Sequence, residues 1–235
     1  MVGADGIHSN VRRLVFGPEA DYVRHLGYYY ALAGGVGGDG EDAMYNEPGR
    51  MAATGGPKDP AWFVFASKAL DYEREDVERQ KRHLMDAYRG GAWRIPELMA
   101  AVPGASDFYM DSISRVTMDR YSKGRVVLLG DAAYGNALGG FGTGLAVVGA
   151  YVLAGELRRA SGDHELAFAH YQQHMGKYAK VSQQVHAGKL LAPSTRFGMY
   201  VRNQMMSVAT LFKGVMMLTD YFATDIKLED YASSQ

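Results

Sequence analysis

The sequence predicts an α+β protein, and three regions of the chain carry that prediction. Residues 126–129 are a short apolar run bounded by glycine, as expected of a strand buried on both faces. A glycine-rich loop and a long apolar segment over 145–157 follow it, which indicates a loop and then a helix. Between residues 22 and 118, aromatic and β-branched segments alternate with turns, which is typical of a sheet.

Composition places the chain among ordinary globular proteins. Its 235 residues, 47% hydrophobic and 22% charged, can bury a core and form one or two domains. The formal net charge of −1 gives no electrostatic reason to expect nucleic acid or a membrane as a partner. The absence of cysteine excludes disulfides and thiolate metal sites. Residues 1–5 have neither the basic nor the apolar region of a signal peptide, so we expect a cytoplasmic protein.

The N-terminal segment predicts a strand end and one short helix. Ser9 can cap a helix that begins near Val11, and Gly17 with Pro18 ends it. Arginine suits phosphate recognition, so Arg12 is a candidate contact for a cofactor phosphate. The alternative interpretation leaves this arginine on a solvated helix face.

The middle of the chain predicts a β-rich domain over 21–118. We expect strands over 26–33, 61–66 and 108–118 and a helix over 73–88. Since strand side chains alternate between faces, some aromatic residues can line an apolar pocket while others form core: Tyr28, Tyr29, Tyr30, Trp62 and Phe63.

One motif in this region is rejected as a nucleotide site. Gly35, Gly37 and Gly40 satisfy the pattern GxGxxG, but no helical pattern follows them. Glu41 and Asp42 come next, and two carboxylates would repel a pyrophosphate. We interpret the segment as a hairpin loop.

The stretch after the apolar run has the residues of a nucleotide-cofactor site. Gly130 and Asp131 end the strand, where a carboxylate can accept hydrogen bonds from sugar hydroxyls. Glycines in the next loop allow close approach to the backbone, and a helix beginning near Thr143 would point its free N–H groups at the ligand. The alternative is a tight connection whose small residues serve only helix–sheet packing.

Two motifs of this sequence resemble motifs of one known family and occur in the same order as in that family. Residues 130–133, GDAA, resemble the GD motif of the p-hydroxybenzoate hydroxylase-like flavoprotein monooxygenases, the FAD-dependent aromatic hydroxylases. Residues 2–13, VGADGIHSNVRR, resemble the DG motif of the same family. The resemblance implies that Asp131 binds the ribityl chain of FAD and that Asp5 lies near its pyrophosphate and the path of the nicotinamide. The other implied cofactor-binding residues are Gly130, Gly139, Gly140, Gly142, Thr143, Gly144 and Leu145, and Arg12 joins them as a candidate only because arginine suits phosphate.

The resemblance also implies a domain organisation and an activity. Residues 1–20 and 119–160 would be part of an α/β FAD-binding domain, 21–118 a β-sheet substrate domain, and 161–235 a C-terminal helical segment. The implied reaction is hydroxylation of an aromatic or polyketide-like small molecule with NAD(P)H and O2. No catalytic acid or base is assigned, because the flavin performs the chemistry in this family.

The sequence departs from the family at several places. Tyr134 stands where many members have histidine, and Gly144 and Leu145 stand where many have asparagine. Members begin with a βαβ unit carrying GxGxxG, whereas this sequence starts beyond it, so we expect a C-terminal portion of such an enzyme. The apolar stretch 205–222 then predicts either self-association or a missing N-terminal segment as its partner.

Other functions stay open at this point. A chain without the adenosine-binding half could be a flavin-free small-molecule-binding protein, or a cyclase or isomerase derived from that fold. It could also be a partial chain with no activity of its own. His170 and His174 are four residues apart on a predicted helix, but with no evident third ligand we expect no metal site.

Overall fold

The computed structural model describes residues 1–37, 42–56, 58–140, 142–207 and 228–231. The strands in this part of the chain are β1 (Val2–Gly3), β2 (Val23–Ala33), β3 (Ala43–Glu47), β4 (Arg50–Thr54), β5 (Ala61–Ala66), β6 (Phe108–Val116), β7 (Ser122–Lys123) and β8 (Val126–Leu128). The α-helices are α1 (Asn10–Val15), α2 (Val77–Ala87), α3 (Ile95–Ala101), α4 (Asp131–Tyr134), α5 (Gly142–Arg159), α6 (His164–Ser182), α7 (Ala187–Leu191) and α8 (Arg196–Ser207). The predicted α+β class is confirmed.

The chain divides into two compact units. The first, which we call the motif unit, comprises 1–24, 114–186 and 209–235; the second, the sheet unit, comprises 25–113 and 187–208. The predicted C-terminal helical segment 161–235 is shared between them, because α6 packs on α5 while α7 contacts β5.

The motif unit is built on a three-stranded sheet in the order β1-β8-β7. Strand β1 runs parallel to β8, and β7 runs antiparallel to it. Helices α5 and α6 pack against each other, and their buried side chains join those of β8 in one core, which includes Leu128, Val152, Phe168, Tyr171 and Met175. Asp163 begins α6 as predicted, since its carboxylate accepts hydrogen bonds from the backbone N–H groups of Glu165 and Leu166.

The sheet unit contains five strands in the order β3-β4-β5-β2-β6. Helices α2 and α3 contribute Leu84 and Leu98 to the core on one face of this sheet. Tyr88, just after α2, is fixed there because its hydroxyl donates to the carbonyl of Val64 at 2.9 Å. The predicted hairpin over 35–40 is wrong: β3 pairs with β4, at the sheet edge away from β2, and the loop itself is described only to residue 37.

The C-terminal part of the chain is described in two pieces. The predicted apolar helix over 205–222 is seen only at its start, because α8 ends at Ser207 and residues 208–227 lie outside the described residues. Residues 228–231 lie on α5, where Tyr231 fills the space beside Gly155 and donates its hydroxyl to the buried carboxylate of Glu156 at 2.7 Å. Among the helices that are described, none has the length and apolar character needed to cross a membrane.

Candidate functional site

The two sequence motifs meet at one edge of the motif-unit sheet. Val2 pairs with Val127 and Gly3 with Leu128 in parallel register. The carboxyl ends of parallel strands lie at the same edge, so Asp5 and Asp131 both follow strands that end there. Gly3 is required at this position, since a Cβ atom would lie 2.8 Å from side-chain carbons of Leu128 and Val11.

Asp5 is engaged by its own motif. Its carboxylate accepts hydrogen bonds from the hydroxyl of Ser9 and, at 3.0 Å, from the backbone N–H of Val11. Ser9 in turn accepts from the backbone N–H of Arg12, which confirms the predicted cap of α1. Partial burial acts to raise the pKa of Asp5, but the hydrogen bonds from Ser9 and the backbone outweigh it and hold the pKa below its ordinary value.

Arg12 connects the two motifs and is fully buried, with 0% of its surface exposed. Its guanidinium donates to the carbonyl of Ile7 at 2.6 Å and to that of Ala132, in the GD motif, at 2.9 Å. The predicted contact of this arginine with a cofactor phosphate stays a prediction. In the structure its contacts are those of a residue that fixes the DG segment against the GD segment.

Asp131 differs from Asp5 in the surroundings of its carboxylate. Gly130, at φ +62°, turns the chain sharply after β8, and Asp131 begins α4 with its side chain exposed. Within the described residues, no donor forms a hydrogen bond with this carboxylate. The density of protein atoms around it desolvates the group and raises the pKa of Asp131 despite its exposed surface.

The glycines of the loop divide into two kinds. A Cβ on Gly139 would lie 2.5 Å from the amide nitrogen of Asn136, so this glycine serves packing of the loop itself. Gly140, at φ +85°, and Gly144 have open space where a side chain would be. Gly142 begins α5 next to Asp131, because its Cβ would lie 3.4 Å from a carboxylate oxygen of that residue.

The start of α5 is open to a ligand along one side. Thr143 and Gly144 are exposed in its first turn, where backbone N–H groups lack helical partners. Leu145 is buried in the core, so only its backbone is available to a cofactor. The intervening Phe141 lies outside the described residues.

Sequence reasoning missed one residue of this loop. The side-chain amide of buried Asn136 donates to the carbonyls of Ser182 and Val185, at 2.8 and 3.0 Å, and so ties the loop to the end of α6. The loop also bonds to β6, where the N–H of Val116 donates to Gly135. No sequence signal identifies these partners, because they come from segments far along the chain.

The two histidines whose spacing a metal could use both contact acidic residues. His170 contacts Glu156 at 3.0 Å, and His174 lies 3.8 Å from Glu229. Burial acts to raise the pKa of Glu156, but hydrogen bonds from Tyr231 and His170 and the charge of Arg159 hold it below its ordinary value. No cluster of three His, Cys, Asp or Glu residues suited to a metal occurs in the described part of the chain.

The aromatic residues of the sheet unit lie on two faces. Tyr29 and Phe63 belong to the core beneath α2 and α3. Tyr28 points to the other face and is covered by α7, since a Cβ on Gly188 would lie 2.4 Å from its ring. Tyr30 and Trp62 are only half-buried. The predicted separation into core and pocket-lining aromatics is therefore compatible with the alternation of the strands.

Comparison with known proteins identifies relatives of this chain, among them flavin-dependent monooxygenases. The chain is 37% identical over 194 residues to an uncharacterised Mycobacterium tuberculosis protein, Rv1260, covering 78% of this chain and 51% of that protein. A flavin-dependent monooxygenase of Legionella longbeachae is 34% identical over 191 residues, covering 78% of this chain and 49% of the enzyme.

A solved structure shares the fold of this chain. The tetracycline destructase Tet(51) superposes with a TM-score of 0.83 at 27% identity, covering 98% of this chain and 62% of the destructase. No protein-family profile matches the chain. The chain spans about half the length of the curated relatives it matches. The resemblance predicted from the DG and GD motifs is thus confirmed, and the chain is related to the flavin-dependent monooxygenases.

Proposed function

We propose that this chain contributes the GD-motif part of an FAD site to a monooxygenase that hydroxylates an aromatic or polyketide-like small molecule. The observation that carries the proposal is the carboxylate of Asp131, exposed beside the N-terminus of α5 and without a hydrogen-bond donor among the described residues. Bound flavin would supply the redox chemistry of an NAD(P)H-dependent hydroxylation with O2, in which one oxygen atom enters the substrate and the other leaves as water.

The residues of the chain would bind and orient the cofactor. Asp131 would accept hydrogen bonds from the ribityl hydroxyls, for which a carboxylate has several acceptor positions. Backbone N–H groups at Gly142, Thr143 and Gly144 would face the pyrophosphate and the pyrimidine edge of the flavin, where a helix N-terminus favours negative charge. Gly140 and Gly144 present no side chain to a ligand that approaches the backbone.

The names of the relatives support this assignment. A flavin-dependent monooxygenase shares 34% identity, and the tetracycline destructase shares the fold at 27% identity. We further propose a cytoplasmic location, where NAD(P)H is available, and a GxGxxG-bearing segment or a second copy as the partner that completes the site.

A flavin titration of the chain tests the proposal. FAD fluorescence would be followed with and without a separately expressed GxGxxG-bearing segment of a relative. We expect saturable binding in at least one of the two cases, and about tenfold to hundredfold weaker binding by Asp131→Ala, since a charge-assisted hydrogen bond is worth about 1.5–3 kcal/mol.

The matched control is Asp119→Ala, which removes another exposed carboxylate of the motif unit. It should bind FAD like the unmodified chain. Equal affinity of the chain and Asp131→Ala would contradict the assignment of Asp131. An absence of binding in both arrangements would favour the flavin-free small-molecule-binding protein, cyclase or isomerase instead.

A further inference from the structure

One face of α6 lines an open cleft in the motif unit. The cleft has a volume of about 890 Å³ and lies between this helix and residues 117–122. Gln172 fastens that wall to the helix, because its side chain accepts from the backbone N–H of Tyr121 and donates to the carbonyl of Asp119. The wall carries one charge of each sign, on Asp119 and Arg120. The charge difference between the two ends of the cleft therefore comes from α6.

Five positions on this face have the spacing of a helix–helix contact. Successive members are separated by four, three, four and four residues, so they lie on one side of the helix. All five line the cleft: Glu165, Ala169, Gln172, Gly176 and Lys180. Because two of them are small, a second helix could approach the backbone closely along this row.

Gly176 has no packing role within the described chain. Glycine in a helix interior is less stable than alanine, yet no described atom lies within 4 Å of the place of its Cβ. The buried glycines of α5 differ, since a Cβ on Gly149 would lie 2.3 Å from the hydroxyl of Tyr134 and one on Gly155 2.2 Å from the ring of Tyr231. The open space at Gly176 fits close approach by a group from outside the chain.

The charges on this face are opposite at its two ends. Glu165 lies in the first turn of α6, and Lys177 and Lys180 lie in its last two turns. All three side chains are exposed, and none of them forms an ion pair with another described residue. Lys177 contacts the ring of Tyr178, with its Nζ 4.7 Å from the centroid. The face thus offers an acidic end and a basic end to a partner.

We propose that this face binds the same face of a second copy of the chain, with the two α6 helices antiparallel about a twofold axis near residues 172–173. In such a contact residue i meets residue j, and j meets i. Pairing Glu165 with Lys180 of the partner subunit also brings Ala169 opposite Gly176 of the partner subunit, since both pairs have the same midpoint. Opposite charges then meet at both ends, with small residues between them. No residue of the candidate cofactor site takes part.

Association can be measured on the whole chain without flavin. A helix of this length, about 28 Å, gives a contact at the small end of specific interfaces, so we expect a dissociation constant on the order of 10 µM. Sedimentation velocity over a range from about one-tenth to ten times that concentration would determine it. Because exposed charges are screened by salt, the dimer should weaken as ionic strength rises.

Charge reversal at the two ends tests the antiparallel arrangement. Glu165→Lys and Lys180→Glu should each weaken the dimer about tenfold to hundredfold, because each change turns two attractive contacts into two repulsive ones. A mixture of the two single variants should associate as the unmodified chain does, since each then meets opposite charges on the other. A chain with both substitutions should also regain the original affinity.

Two further variants test the packing and the specificity. Gly176→Leu places a large side chain where close approach is proposed and should weaken the dimer by at least about tenfold, whereas leucine favours the helix itself. Arg82→Glu is the control, since it makes the same change of charge as Lys180→Glu at an exposed position of α2. It should leave association unchanged. Circular dichroism would verify that each variant is folded.

The outcomes separate this inference from the proposed function. A monomer at every concentration would overturn it, and so would a dimer that neither charge reversal weakens, which would instead favour the apolar stretch 205–222 as the contact. Failure of the two single variants to associate when mixed would overturn it even if the chain binds FAD. Recovery of the dimer on mixing would support it even if FAD binding fails.

Discussion

Asp5 and Asp131 follow neighbouring parallel strands in the same unit, yet their carboxylates differ in hydrogen bonding and in the direction of their pKa shifts. The carboxylate of Asp5 is occupied by Ser9 and Val11, and its pKa is lowered. That of Asp131 has no donor in the described part of the chain, and its pKa is raised. A carboxylate engaged by its own motif stabilises the fold, whereas one held without partners in desolvating surroundings is available to a ligand.

The largest expected effect comes from breaking the connection between the two motifs. Arg12→Leu would leave the carbonyls of Ile7 and Ala132 without their donor, and we expect a loss of about 3 kcal/mol in the free energy of unfolding. Urea denaturation measures it. Arg13→Leu is the control, since the hydrogen bond that this exposed neighbour forms among the described residues is a local one to Asn10, and it should change stability by less than about 0.5 kcal/mol. Similar losses in both variants would refute the structural role of Arg12.

The matched pair Asp5→Ala and Asp131→Ala tests the comparison itself. Removal of Asp5 eliminates two hydrogen bonds at the start of α1, so we expect about 1–2 kcal/mol of destabilisation. Removal of Asp131 eliminates no hydrogen bond among the described residues, and it should lower the free energy of unfolding by less than about 0.5 kcal/mol. Chemical denaturation of both variants measures the two losses in the free energy of unfolding. A larger loss for Asp131→Ala than for Asp5→Ala would contradict the structural role of Asp5.

A smaller effect separates two glycines of the loop. Gly140→Ala places a side chain at φ +85° and should destabilise the chain by about 1 kcal/mol. Gly144→Ala lies in the first turn of α5 with open space around it, and should stabilise by about 0.5 kcal/mol. Thermal melts would show the opposite shifts. Both variants should bind FAD less well if a ligand approaches this backbone.

The smallest expected effect is on the pH dependence of stability. The lowered pKa of Asp5 contributes stability that is present above about pH 4, its unfolded value, and lost as pH falls through the folded pKa. The raised pKa of Asp131 contributes in the opposite sense, since its stabilisation is present at low pH and lost as pH rises through the folded pKa. Between pH 5 and pH 3 (about the range of aspartate titration), Asp5→Ala should lose less stability than the unmodified chain, and Asp131→Ala more. Parallel curves would contradict both assignments.

The sequence by itself determined the elements whose signals are local. Three signals lie within a few residues of the element that they predict: the apolar run of β8, the Ser9 cap of α1 and the glycines after Asp131. The DG and GD motifs also indicated the related family. Hydrophobic periodicity and capping chemistry act at that range.

The tertiary structure decided which of these residues are free to act. Arg12, a candidate for a ligand phosphate, is buried against Ala132, which lies more than a hundred positions away along the chain. Strand order made the hairpin prediction wrong, because β2 and β3 are not neighbours in the sheet. Contacts between residues that are distant in sequence depend on strand pairing and packing, and they cannot be predicted from residue type alone.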